Sequence, residues 1–144
     1  MDISATIVNT TIAYLHSIEG LDTKIIVPEF DSHTQAVGIT APVMAVGVNS
    51  FTVGEPMYQL GSDGRSASLG KRPYEARVRI RIYVPFSGGA QKAFEMADWI
   101  HTVLMRSAFH YAVNSVEFET AKYDSQTESI TLDTFYTVKG TLLA

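Results

Sequence analysis

Four histidines, fifteen carboxylates, a row of alternating arginines and no cysteine are the groups with which this chain could do chemistry. His16, His33, His101 and His110 include no pair at the i, i+4 spacing that sets two metal ligands on one helix face, and HExxH does not occur. Scattered histidines and carboxylates make no coordination set, so neither a metal nor a cofactor is expected. His101 falls at the edge of an apolar helical stripe and reads as a packed, hydrogen-bonded imidazole. Serine chemistry lacks a Gly-x-Ser-x-Gly elbow, and the glycines at 61–64 are not followed by Gly-Lys-Ser/Thr. Gly88-Gly89 reads as a plain turn before a helix. The carboxylate pairs Glu117/Glu119 and Glu95/Asp98 are of a kind that any chain this rich in acids offers. With no set of nucleophile, base and orienting group, an enzyme is not expected.

The arginines are the strongest local signal. Arg77, Arg79 and Arg81 alternate with Val78, Ile80, Ile82 and Val84. On a strand, alternate residues stand ~6.5–7 Å apart on one face, so the three form a short cationic ladder. It is either a solvated outer face neutralised by Glu117, Glu119 or Asp133 from neighbouring strands, or an interface. An interface would use the planar guanidinium fork to grip a neighbour's carboxylates. Arg65, Lys71 and Arg72 lie just upstream, so segment 65–81 holds six basic residues against Glu75 alone, a net charge of +5. The rest of the chain, with five basic and fourteen acidic residues, carries −9. The net charge of −4 argues against a sequence-specific nucleic-acid binder, but a basic segment on an acidic body can meet an identical neighbour.

The positioning elements follow from periodicity. Ile3, Ile7, Thr11, Tyr14 or Leu15, and Ile18 predict a helix over 3–18 with Gly20 as its stop. Strands are predicted at 24–27, closed by Pro28, and at 43–50 with a continuation to Val53, joined by a connection over 28–41. Residues 54–75, with four glycines and two prolines, predict a long mobile loop that carries Met57, Tyr58 and Leu60 as apolar contacts. The alternating strand 76–84 ends at Pro85, and Ser87 stands as the N-cap of a helix over 90–106 with Ala93, Phe94, Ala97, Ile100 or His101, and Leu104 on one stripe. Two strands around 116–120 and 130–139 predict a hairpin. Pairing Phe118 with Leu132 and Thr120 with Ile130 keeps apolar residues on one face and puts Lys122 opposite Glu128. The expected fold is α+β, in the order α-β-β-loop-β-α-β-β, with two helices on one face of a mainly antiparallel sheet.

The 144 residues fit one domain with one core, and 46% apolar against 18% charged residues is not the composition of a disordered chain. The absence of cysteine removes disulfide frameworks, zinc ribbons and thiol nucleophiles. The longest apolar run, 41–48, is broken by Pro42 and Gly47 and is far short of the ~18–20 residues of a bilayer span. Asp2 and the lack of a basic residue before Lys24 do not read as a signal peptide, so a soluble chain is expected.

From Lys71 to Arg106 the chain reads as a basic stretch after a loop, then the strand Ala76 to Val84, the break Pro85-Phe86-Ser87-Gly88-Gly89 and a long amphipathic helix. With a helix before and a hairpin after, its element order and size resemble the tail terminator (tail completion) proteins of long-tailed bacteriophages and phage-tail-like particles. That resemblance implies a non-enzymatic virion protein, made in the host bacterial cytoplasm. It would form a ring of six copies that caps the tail tube, ends its polymerisation and joins the tail to the neck or head. The implied partners are further copies of the chain, the tube protein and a neck or connector protein, with no membrane. Arg65, Lys71, Arg72, Arg77, Arg79, Arg81, Glu117, Glu119, Asp133, Met57, Tyr58 and Leu60 are the expected interface. Two other functions fit the same pattern: another connector or tube-associated protein of such a particle, and a small dimeric α+β ligand-binding domain.

Overall fold

The computed structural model describes residues 2–29, 41–61, 64–125 and 127–143. His33 and most of the 28–41 connection lie outside them. Helix α1 (Ile3–His16) starts where the Asp2 carboxylate accepts a hydrogen bond from the Ala5 amide at 3.1 Å. That bond satisfies one of the donors a helix start leaves free. Ile7, Thr11 and Leu15, four residues apart, are its buried positions. The helix ends two residues earlier than the pattern predicts. Gly20 then turns the chain with φ of +91°, and a Cβ there would come within 2.8 Å of the Trp99 ring, so glycine is needed twice over.

The main sheet runs β1 (Ile25–Pro28), β2 (Val43–Val53), β5 (Lys71–Pro85), β8 (Ser129–Leu143) and β6 (Val113–Phe118). The β1–β2 pair is parallel and the others are antiparallel. The short strand β7 (Lys122–Asp124) also pairs with β8. Helix α2 (Gly89–Leu104) follows a 3₁₀ turn over Phe86–Gly88. Alternation decides the core. Val78, Ile80, Ile82 and Val84 of β5 and Leu132, Tyr136 and Val138 of β8 share one cluster with Ile7 and Leu15 of α1 and Ala97, Ile100 and Leu104 of α2. The fold is therefore α+β, with two helices against one mainly antiparallel mixed sheet. A smaller apolar cluster of Val43, Ala45 and Tyr83 sits on the other face.

Four sequence expectations need correction. The stretch 54–75 is not one loop: β3 (Tyr58–Leu60) and β4 (Ser66–Ser68) form a hairpin, and β5 begins at Lys71. Pro73 is tolerated inside β5 because β2 ends at Val53 opposite Tyr74, and beside Pro73 only its carbonyl is used, accepting from Gly54 N–H at 2.7 Å. Ser87 lies inside the 3₁₀ turn instead of standing as the last residue before α2, which starts at Gly89. Phe94 is 41% exposed and does not belong to the core stripe, whose larger members are Met96, Ile100, Val103 and Leu104. In the last hairpin Phe118 lies opposite Thr134, two residues from the expected register, which preserves the face because the side-chain period is two. Glu119 N–H still bonds Asp133 C=O at 2.9 Å, but Lys122 lies opposite Thr131, so one extra residue enters the chain between them. Lys122 consequently does not face Glu128.

Candidate functional site

The face of the sheet opposite the helices carries the arginine ladder, and each guanidinium meets a carboxylate of its own chain. Arg77 donates from Nη2 to Glu117 Oε2 at 2.8 Å, and its guanidinium carbon lies 3.9 Å from the centroid of the Phe135 ring. Arg81 grips Asp133 with two bonds, Nε to Oδ1 at 2.6 Å and Nη2 to Oδ2 at 2.9 Å. The two are cross-strand partners on β5 and β8, and the Asp133 side chain is only 15% exposed. The hydrogen bonds to Asp133 outweigh the cost of burial and hold the Arg81 guanidinium above its ordinary pKa, firmly charged. Arg79 pairs with Glu29, which lies beyond the end of β1.

That last contact crosses a whole strand. Glu29 is tied to the edge of β2 by its amide, which bonds Val46 C=O at 2.8 Å, while Arg79 is on β5, opposite Gly47 of β2. A Cβ at Gly47 would collide with the Glu29 carboxylate and lie 3.0 Å from Glu29 Cβ. Gly47 therefore leaves the gap through which Glu29 reaches the ladder. Glu117 and Asp133 were expected as neutralising partners, and Glu29 was missed. The available signal was Gly47 itself, since an isolated glycine in an apolar strand marks close approach. Glu119 carries no ion pair among the described residues; its amide holds the β8 edge.

The remaining named residues gather elsewhere. Met57 N–H bonds Lys71 C=O at 2.8 Å and Leu69 N–H bonds Met57 C=O at 2.9 Å, which attaches the β3–β4 hairpin to the start of β5. Tyr58 and Leu60, on one face of β3, are 60% and 74% exposed, and Met57 and Leu69 are exposed beside them. Arg65 lies in the turn, where its carbonyl accepts from Gly61 N–H at 2.7 Å, and Lys71 and Arg72 are exposed at the hairpin base. The expected site thus divides into a neutralised ladder at mid-sheet and a basic, apolar hairpin at one end.

Two of the grooves among the described residues bear on function. One, of about 670 Å³, lies between the first turns of α1 and β2, with Asp2, Val8, Glu29, Gly47 and Phe51 in its wall. Among the described residues its carboxylates are already engaged, Asp2 by the helix amide and Glu29 by Arg79. The other, of about 330 Å³, is lined by Gln91, Phe94, Glu95, Asp98 and Phe118. His101 packs beneath it, its ring 4.7 Å from that of Phe118. Its Nε2 hydrogen-bonds the Thr134 hydroxyl, which donates onward to Glu117 C=O at 3.2 Å, and its Nδ1 is buried with no partner among the described residues. Burial lowers its pKa to about 4, so the imidazole is neutral at pH 7 and has the packed role expected of it. Among the described residues no cluster of three or more histidines and carboxylates could hold a metal ion. No protein-family model matches the chain, and no curated protein matches it.

Proposed function

We propose that this chain is a structural protein of a tailed particle: a tail terminator that closes into a ring of six copies, caps the tail tube and joins it to the neck or head. The observation that carries the proposal is the β3–β4 hairpin. It presents Tyr58 and Leu60 to solvent beside Lys71 and Arg72, at one end of a body whose other segments are acidic. Exposed apolar side chains ringed by charge are the mark of a surface made for a protein partner. Unlike surfaces on one chain favour heterologous contacts, which build a ring where the rotation between copies closes and an open filament where it does not. The α+β build, with two helices against one mainly antiparallel sheet, is the build that the terminator resemblance implies, and it supports this reading.

Removing the gene from a host that produces the particle tests the role. A terminator leaves tubes of uncontrolled length; another connector of the same particle leaves tubes of normal length that lack a neck. Particles unchanged in both respects would refute the assignment. The groove between α1 and β2 favours a second reading, a dimeric ligand-binding domain, and a solution mass twice that of the 15.8 kDa chain would support it.

A further inference from the structure

Building on the ring reading, we propose that the β3–β4 hairpin of one copy docks in the Phe94/Phe118 groove of the next, its basic base paired with Glu95 and Asp98. The two surfaces complement each other in chemistry. The groove has an aromatic floor in which Phe94 and Phe118, each 41% exposed, meet edge to face at 6.4 Å between centroids. Its rim is acidic: Glu95 and Asp98 carry no ion pair among the described residues, and Glu95 is held only by a 3.3 Å bond from Gln91. No lysine or arginine is among the described lining residues. The hairpin offers the converse, an aromatic and a leucine side chain beside Lys71 and Arg72. A cation brought over Phe94 or Phe118 gains from the ring face as well as from the carboxylates.

A single copy cannot close this contact on itself. Phe118 is opposite Thr134, and Thr134 is opposite Ile80, so the groove is level with Ile80 on β5. The hairpin joins β5 at Lys71. Nine residues of strand separate the two levels by about 30 Å, at about 3.3 Å per residue. Hairpin to groove is therefore a head-to-tail contact between different copies, the kind that repeats around a ring. The α1–β2 groove is the weaker receptor, because both of its carboxylates already have partners.

The chain has no cysteine, so engineered thiols give a clean test. Leu60→Cys and Gln91→Cys are made as separate variants, both at exposed positions, and mixed at low salt under mild oxidation. Disulfide-linked pairs should form in the mixture at least tenfold faster than in either variant alone. Equal crosslinking within Leu60→Cys alone would show a symmetric hairpin contact and overturn the docking. A second arm reverses charge: Glu95→Lys with Asp98→Lys should weaken assembly at least tenfold, and mixing with Lys71→Glu/Arg72→Glu chains should restore contacts between unlike copies. Rings that persist in the groove variant without crosslinks would refute the docking while leaving the ring standing. Crosslinked rings in a particle whose tails keep normal length and a normal neck without the gene would sustain the docking and refute the terminator role. A wild-type chain that is monomeric at every concentration and never crosslinks would overturn the docking outright.

Discussion

Gly47 shows how much one missing side chain can decide. Its bare Cα lets Glu29 lean across β2 to Arg79, so Gly47→Ala should expel the carboxylate and unpair the guanidinium. We expect a loss of about 1–2 kcal/mol from crowding and the lost pair, read by urea denaturation. Glu29→Ala should recover the crowding part of the loss when combined with Gly47→Ala, because the carboxylate is then gone and only the 3.0 Å approach of the two Cβ atoms remains. Additive losses in the double variant would show that Gly47 serves something else. His101 sets the pH dependence at the same scale. Its folded pKa of about 4 lies below its unfolded value of 6.5, so folded chains bind fewer protons between the two. Stability from this group is complete above pH 6.5 and is lost as pH falls towards 4, by an amount of order 2 kcal/mol. His101→Gln should flatten that part of the profile relative to wild type. An unchanged difference between pH 7 and pH 4.5 would show that the imidazole is not desolvated.

Among the elements, the arginine strand and the hairpin carry opposite expectations. Arg79→Glu places a carboxylate beside Glu29, and it should lower stability by about 1 kcal/mol through like-charge repulsion on one sheet face. Arg77 and Arg81 keep their own partners on β6 and β8, so the fold should survive. Replacing 58–68 by a short turn should act the other way: its described apolar side chains are exposed, so the melting temperature should move by only a few degrees while assembly is lost. Circular dichroism with mass photometry reads both. A truncated chain that still assembles would move the interface off the hairpin, and one that does not fold would show that the hairpin is part of the core.

For the whole molecule, the segregation of +5 in residues 65–81 against −9 elsewhere predicts that the proposed ring is sensitive to ionic strength. Of those six basic residues, Arg77, Arg79 and Arg81 are consumed within the chain, and Lys71 and Arg72, exposed at the hairpin base, are the ones placed to meet an acidic neighbour. The mass of the assembly should fall from ring to monomer between about 0.05 and 1 M salt, as the Debye length shrinks from more than 10 Å to about 3 Å. Unaltered rings at 1 M salt would assign the contact to apolar packing instead, with Tyr58 and Leu60 as its substance.

The elements with strong periodicity were legible in the amino-acid sequence, because burial writes itself there as spacing. Four-residue steps of Ile7, Thr11 and Leu15 predict α1, and perfect alternation over 76–84 predicts the centre of β5 and assigns its arginines to the face away from the core. Local spacing is silent where burial stops alternating. Lys71 to Pro73 are exposed in succession, so the beginning of β5 reads as loop until β8 is found beside it, pairing Lys71 with Leu143 and Pro73 with Thr141. Register in the last hairpin was specified only to its parity, since a two-residue slip keeps every side chain on its face. The partners of the ladder were decided by tertiary structure alone. A carboxylate at Glu29 and a guanidinium at Arg79 are fifty residues apart, and only the sheet order β1-β2-β5, with a glycine between them, brings the two charges together.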